Sequence, residues 1–155
     1  MKEMLHAETF RLCTPFEQEV RVHCAEIIRR LEVGYPTLIH GDVHPGNIIA
    51  TEKQIWFVDW SYACNSLNLF DLDYIQSYPL PPSGPAWSQI TPQEAVLALP
   101  AYFQSAGLGD VNYFQVHHAV MVWNLLRTYD NSVKNGYRAE LGGIRSQLQE
   151  LLSVK

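Results

Sequence analysis

His40-Gly41-Asp42-Val43-His44-Pro45-Gly46-Asn47, then Ile48-Ile49-Ala50, then Gln54-Ile55-Trp56-Phe57-Val58-Asp59-Trp60, is the stretch that decides how this chain is read. Its first eight residues are polar and carry Gly41, Pro45 and Gly46, which predicts a loop over 40–47. The two β-prone runs flank Thr51-Glu52-Lys53 and predict a hairpin over 48–58. Asp59 ends the second strand. A hairpin returns the chain to its start, so Asp59 is expected beside Asn47. Asp42 and Asn47 stand five residues apart on the loop. An Asn amide oxygen and an Asp carboxylate are hard oxygen donors that suit Mg²⁺. Asp42 is then left to orient or deprotonate a hydroxyl nucleophile.

A catalytic-loop Asp, an Asn five residues on, and a second Asp for metal is the arrangement described for protein kinases. The glycine after the first His and the His-Pro-Gly-Asn ending differ from eukaryotic protein kinases. They resemble the aminoglycoside phosphotransferase and choline kinase branch of the protein-kinase-like fold. The catalytic loop of that branch, HGDxHxxN, is matched at His40, Gly41, Asp42, His44 and Asn47. Its IDW or VDW metal segment is matched by Val58-Asp59-Trp60, and its YDLA-like segment more loosely by Phe70-Asp71-Leu72. The resemblance implies that Asp42 is the catalytic base and that Asn47 and Asp59 hold Mg²⁺ and, through it, ATP. Asp71 is expected to brace the loop by hydrogen bonds, and His40 and His44 to hold its backbone through their rings. The implied activity is ATP-dependent phosphoryl transfer to the hydroxyl of a small-molecule acceptor.

Kinases of this class carry an N-terminal lobe with a glycine-rich phosphate loop and a strand lysine paired to a helix glutamate. The 39 residues ahead of His40 contain one glycine, Gly34, and one lysine, Lys2, with no strand pattern. The expectation is therefore a C-terminal lobe without its N-terminal lobe, covering 1–155 as one unit. Its parts are the catalytic loop 40–47, the hairpin 48–58 and a helical region 66–155. The fold class is α+β, mainly α, with one small hairpin. A lobe lacking its opposite half exposes surface made to be covered. A homodimer or a separate N-terminal lobe is the expected partner. A non-catalytic module that self-associates or binds a partner is the alternative to an incomplete enzyme.

Helices are expected around the motif. Thr14-Pro15-Phe16-Glu17 is a capping box, followed by Phe16, Val20, Cys24, Ile27, Ile28 and Leu31 at helical spacing, giving a helix from about Pro15 to Glu32. Asn68 to Tyr78 reads as helical, and Pro79, Pro81, Pro82, Gly84 and Pro85 as a stiff connection. A second capping box, Thr91-Pro92-Gln93-Glu94, opens a helix to Ala106 that Pro100 kinks or splits. Asp110 is expected to cap a long apolar helix ending at Asn135-Gly136, and a last helix carries Ile144 and Leu148.

Composition excludes several functions. Net charge is −5 and no Lys/Arg cluster exceeds Arg29-Arg30, so a nucleic-acid footprint is absent. No run of about 18 apolar residues exists to span a membrane. Cys13, Cys24 and Cys64 are widely spaced without a CxxC pair, which predicts reduced thiols in the cytoplasm rather than a zinc knuckle or disulfide framework. His40, Asp42 and His44 alternate as ligands on a strand would, the mark of a metal-dependent hydrolase, but the loop residues favour the kinase reading. His117-His118 is read as structural. Trp56, Trp60, Trp87 and Trp123 are read as core, with Trp87 the best placed to meet a cationic substrate.

Overall fold

A computed structural model describes residues 2–13, 16, 18–77 and 92–153. In chain order the elements are α1 (Lys2–Cys13), α2 (Gln18–Leu31), β1 (Pro36–Ile39), a 3-10 turn (Pro45–Asn47), β2 (Ile48–Ala50), β3 (Ile55–Phe57), β4 (Cys64–Leu67), a 3-10 segment (Asn68–Ser77), α3 (Pro92–Ser105), α4 (Tyr113–Asn135) and α5 (Arg138–Ser153). The chain divides into one unit of residues 1–33 and 118–155 and a second of residues 34–117. Among the described residues no helix is long and apolar enough to cross a membrane. Thr14, Pro15, Glu17, the proline-rich connection with Trp87, and Thr91 lie outside the described residues.

The first unit is helical. On α2 the stripe Cys24, Ile27, Ile28 and Leu31 is buried, as its spacing requires. α1 was not expected. It buries Leu5, Thr9, Leu12 and Cys13, with the Thr9 hydroxyl donating to Leu5 O at 2.8 Å. Cys13 and Cys24 are joined as a disulfide between α1 and α2, against the expectation of reduced thiols; Cys64 is free and exposed. Phe16 packs on Tyr129 at 4.6 Å between ring centroids, and the Arg145 guanidinium lies over both rings. α4 stops as expected at Gly136, whose φ of +75° lets Tyr137 N donate to Ser132 O at 2.8 Å.

The second unit holds the strands. β2 and β3 form the expected hairpin, pairing Ile48 with Phe57 and Ala50 with Ile55. Thr51 closes its turn: Thr51 N donates to Gln54 O, and Thr51 Oγ1 accepts from Gln54 N. A second antiparallel pair was not expected. β1 runs against β4, Pro36 opposite Leu67 and Ile39 opposite Cys64, so the helical region starts at 68, not 66. Leu38 faces outward at 61% exposure while Ile39 is buried. Asn68 ties the unit together. Its Oδ1 accepts from Tyr35 N at 2.9 Å, its Nδ2 donates to Tyr102 Oη at 3.2 Å, and Tyr102 Oη donates to Asn68 O at 2.7 Å. Burial pushes the Tyr102 hydroxyl up to about 12. α3 runs through Pro100 without splitting. Asn112, not Asp110, begins α4: its Oδ1 accepts from Gln115 N at 3.2 Å.

Candidate functional site

The polar loop 40–47 leads from β1 into the hairpin and is braced by a set of side-chain to backbone hydrogen bonds. Gly41 adopts φ +80°, and a Cβ there would sit 2.5 Å from Tyr62 O, so only glycine fits the turn. Asp71, from the 3-10 segment, accepts from two successive amides: His40 N to Oδ2 at 2.9 Å and Gly41 N to Oδ1 at 2.8 Å.

His40 is buried, and both its ring nitrogens are engaged. Nε2 donates to Val58 O at 2.9 Å and Nδ1 accepts from Asp42 N at 3.3 Å. The bond to a carbonyl fixes the proton on Nε2. Trp60 covers the ring at 4.6 Å between centroids. His44 caps the 3-10 turn, its Nδ1 accepting from Gly46 N at 3.0 Å with Pro45 at the first position. Its Nε2 lies 3.6 Å from Asp42 Oδ2. The histidines thus face backbone groups and Asp42 rather than converging as ligands. Among the described residues no group of three or more His, Cys, Asp or Glu side chains is placed to hold a metal ion.

The structure brings Asp42 and Asn47 into direct contact. Buried Asn47 donates through Nδ2 to Asp42 O at 3.0 Å and to Asp42 Oδ2 at 3.1 Å. Both of its N–H directions are thereby used, and its Oδ1 meets no donor among the described residues. Val58 N donates to Asn47 O at 2.9 Å, so Val58 stands opposite Asn47 and Asp59 is the next residue along the chain. Asp59 takes φ +58°, a left-handed conformation that Asp tolerates better than most side chains. Its exposed carboxylate accepts through Oδ1 from Ser61 Oγ at 2.6 Å and, more weakly, from Ser61 N at 3.4 Å. The Ser61 hydroxyl, then the Ser61 amide, hold the Asp59 carboxyl below its ordinary value. No hydrogen bond joins the Asp59 carboxylate to the side chains of Asp42 or Asn47 among the described residues.

Sequence reasoning did not single out Ser61 or Tyr62. A hydroxyl two residues past an Asp is a usable signal, because such a side chain closes a turn on the carboxylate. Trp60, read as core, is half exposed and donates through Nε1 to Phe57 O at 2.8 Å; Trp56 is also exposed.

No curated protein and no solved structure matches the chain. A family model described as the phosphotransferase enzyme family does match, over residues 3–110, a span that takes in the loop, the hairpin, Asp59 and Asp71. On that match, which covers well over half of its length, the chain belongs to the phosphotransferase enzyme family.

Proposed function

We propose that this chain is the C-terminal lobe of a protein-kinase-like phosphotransferase of the aminoglycoside phosphotransferase and choline kinase type, built to transfer a phosphoryl group from ATP to a small-molecule hydroxyl. The observation that carries the reading is the Asn47 amide clamped on Asp42. It presents Asn47 Oδ1 and the Asp42 carboxylate from one loop, with Asp59 one residue past the hairpin rung. Asn47 and Asp59 offer two hard oxygens, and these are the residues that would hold Mg²⁺. The ion, when bound, neutralises phosphate charge and orients the nucleotide. Asp42 accepts the hydrogen bond of the acceptor hydroxyl and aligns it for attack. Asp71 holds the backbone of His40 and Gly41, so the Asp42 carboxylate stays in place as the hydroxyl approaches. Positioning and preorganised charge supply most of the acceleration in such a site.

Calorimetry with ATP and Mg²⁺, together with ADP release in the presence of a panel of amino-sugar, amino-alcohol and sugar acceptors, tests this. Micromolar ATP–Mg²⁺ binding that Asp59→Ala abolishes supports a working nucleotide site in this chain, and millimolar or absent binding by the folded chain favours a non-catalytic module instead.

A second reading, a non-catalytic lobe that associates with another copy of itself, is favoured by the hairpin. Ile49, Ile55, Trp56 and Phe57 are all exposed, Ile55 at 65%. A two-stranded hairpin with apolar side chains on both faces is marginal in water without a cover. Equilibrium sedimentation at tens of micromolar separates the two readings: a dimer without ATP binding supports the module, and a monomer contradicts it.

A further inference from the structure

We propose that the Cys13–Cys24 disulfide is a redox-operated latch: it holds α1 on α2, and its reduction releases α1 while the rest of the helical unit stays folded. The latch lies in the unit of residues 1–33 and 118–155 and needs neither reading of the site. α1 and α2 run antiparallel, since Cys13 meets Cys24 and His6 Nε2 donates to Glu32 Oε1 at 2.8 Å. Between these two ties lie Thr9 and Leu12 of α1 and Ile27, Ile28 and Leu31 of α2, all buried. A third tie joins α1 to α4, Arg11 Nη1 donating to both carboxylate oxygens of Asp130 at 3.0 Å.

Of these three ties only the covalent one is strong. The His6–Glu32 and Arg11–Asp130 contacts are solvent-exposed, and such pairs hold little against water and salt. The apolar grip of α1 is thin as well. It buries two leucines, Leu5 and Leu12, while buried Thr9 spends its hydroxyl on Leu5 O of the same helix. At 12 residues, α1 is of a length that is marginal in water without tertiary support. α4 and α5 keep a core of their own, burying Val120, Trp123, Leu126, Ile144 and Leu148. Cutting the bond therefore removes the anchor of α1 and leaves that core in place. Both cysteines are buried, so exchange with an external thiol follows a transient opening of α1. A small dithiol supplies the two electrons. Its thiolate attacks one sulfur and forms a mixed disulfide, and its second thiol closes on the first. Cys13 and Cys24 are left as two thiols and the dithiol as a cyclic disulfide.

The test is amide hydrogen exchange of the full chain, unreduced and in a dithiol reductant, read segment by segment by mass spectrometry. Reduction is expected to accelerate exchange in residues 2–13 about thirtyfold more than in residues 118–135 of α4, and reoxidation to restore the protection. Added salt is expected to widen that gap in reduced protein only, because exposed charge pairs then carry α1. The double variant Cys13→Ala, Cys24→Ala is expected to match reduced protein with or without the dithiol, and reduced wild type gives the same readout without a substitution. Equal acceleration of α1 and α4 marks the bond as a staple for the whole unit and overturns the latch. So does an α1 whose exchange ignores reduction, or a helical unit that unfolds entirely in the dithiol.

Discussion

The Asn47 amide nitrogen lies 3.0 Å from the carbonyl and 3.1 Å from a carboxylate oxygen of the same residue, Asp42. One buried side chain therefore closes the loop and aims the carboxylate. Asn47→Ala removes both bonds and leaves Asp42 O and Oδ2 without this donor. A loss of about 1–3 kcal/mol in urea unfolding is expected. Asn47→Asp sets a second carboxylate against Asp42 and is expected to cost more than the alanine at neutral pH.

Gly41 separates two effects that glycines usually combine. Gly41, Gly107 and Gly136 all have positive φ, but only at Gly41 does a Cβ meet anything, Tyr62 O at 2.5 Å. Gly107→Ala and Gly136→Ala are expected to cost about 1–2 kcal/mol each from backbone conformation alone. Gly41→Ala adds a clash with rigid backbone and is expected to exceed them by about 1–3 kcal/mol in the same unfolding experiment.

The disulfide between Cys13 and Cys24 closes a short loop, with a sequence separation of 11. Constraining the unfolded chain over that length is worth about 2–3 kcal/mol. Reduction is expected to lower the melting temperature by about 5–10 °C, and the double variant Cys13→Ala, Cys24→Ala to melt low with or without reductant. Full alkylation of both thiols in unreduced protein contradicts the bond.

Acid sensitivity is expected from the helical unit. Hydrogen bonds from Arg29, then Arg30, hold Glu26 at about 2 against an ordinary 4.5. Burial raises the Asp130 carboxyl, but Lys134 and Arg11 outweigh it and leave the group below its ordinary range. A carboxylate depressed in the folded state stabilises fully above its unfolded pKa, and that contribution disappears as pH falls through the folded value. For Glu26 the window runs from 4.5 down to about 2. Glu26→Gln is expected to flatten the acid limb of stability against pH. It costs only about 0.5 kcal/mol at neutral pH, because the pair is solvent-screened.

How far the fold could be read from sequence depended on how local the signal was. The loop 40–47 and the hairpin 48–58 were legible because turn residues and β-prone runs sit side by side in the chain. β4 was not: Cys64-Asn65-Ser66-Leu67 has little strand propensity and is a strand only because β1 pairs with it. α1 was obscured because Met4 and Phe10 face out while Thr9 faces in, which blurs the apolar stripe. The disulfide had no local mark, since two cysteines eleven apart meet only once both helices are placed. At the site, the spacing of Asp42 and Asn47 was visible but their direct bond was not. Ser61, two residues past Asp59, offered only the weak cue of a hydroxyl placed to close a turn on a carboxylate.

The most direct test of the central claim uses paramagnetic Mn²⁺ in place of Mg²⁺ and reads amide broadening across the whole chain. The account predicts that residues 42–47 and 58–61 broaden first, at substoichiometric metal, and that Asp59→Asn removes the effect. Broadening that spares these residues, or that persists undiminished in Asp59→Asn, would contradict a shared metal site at Asn47 and Asp59.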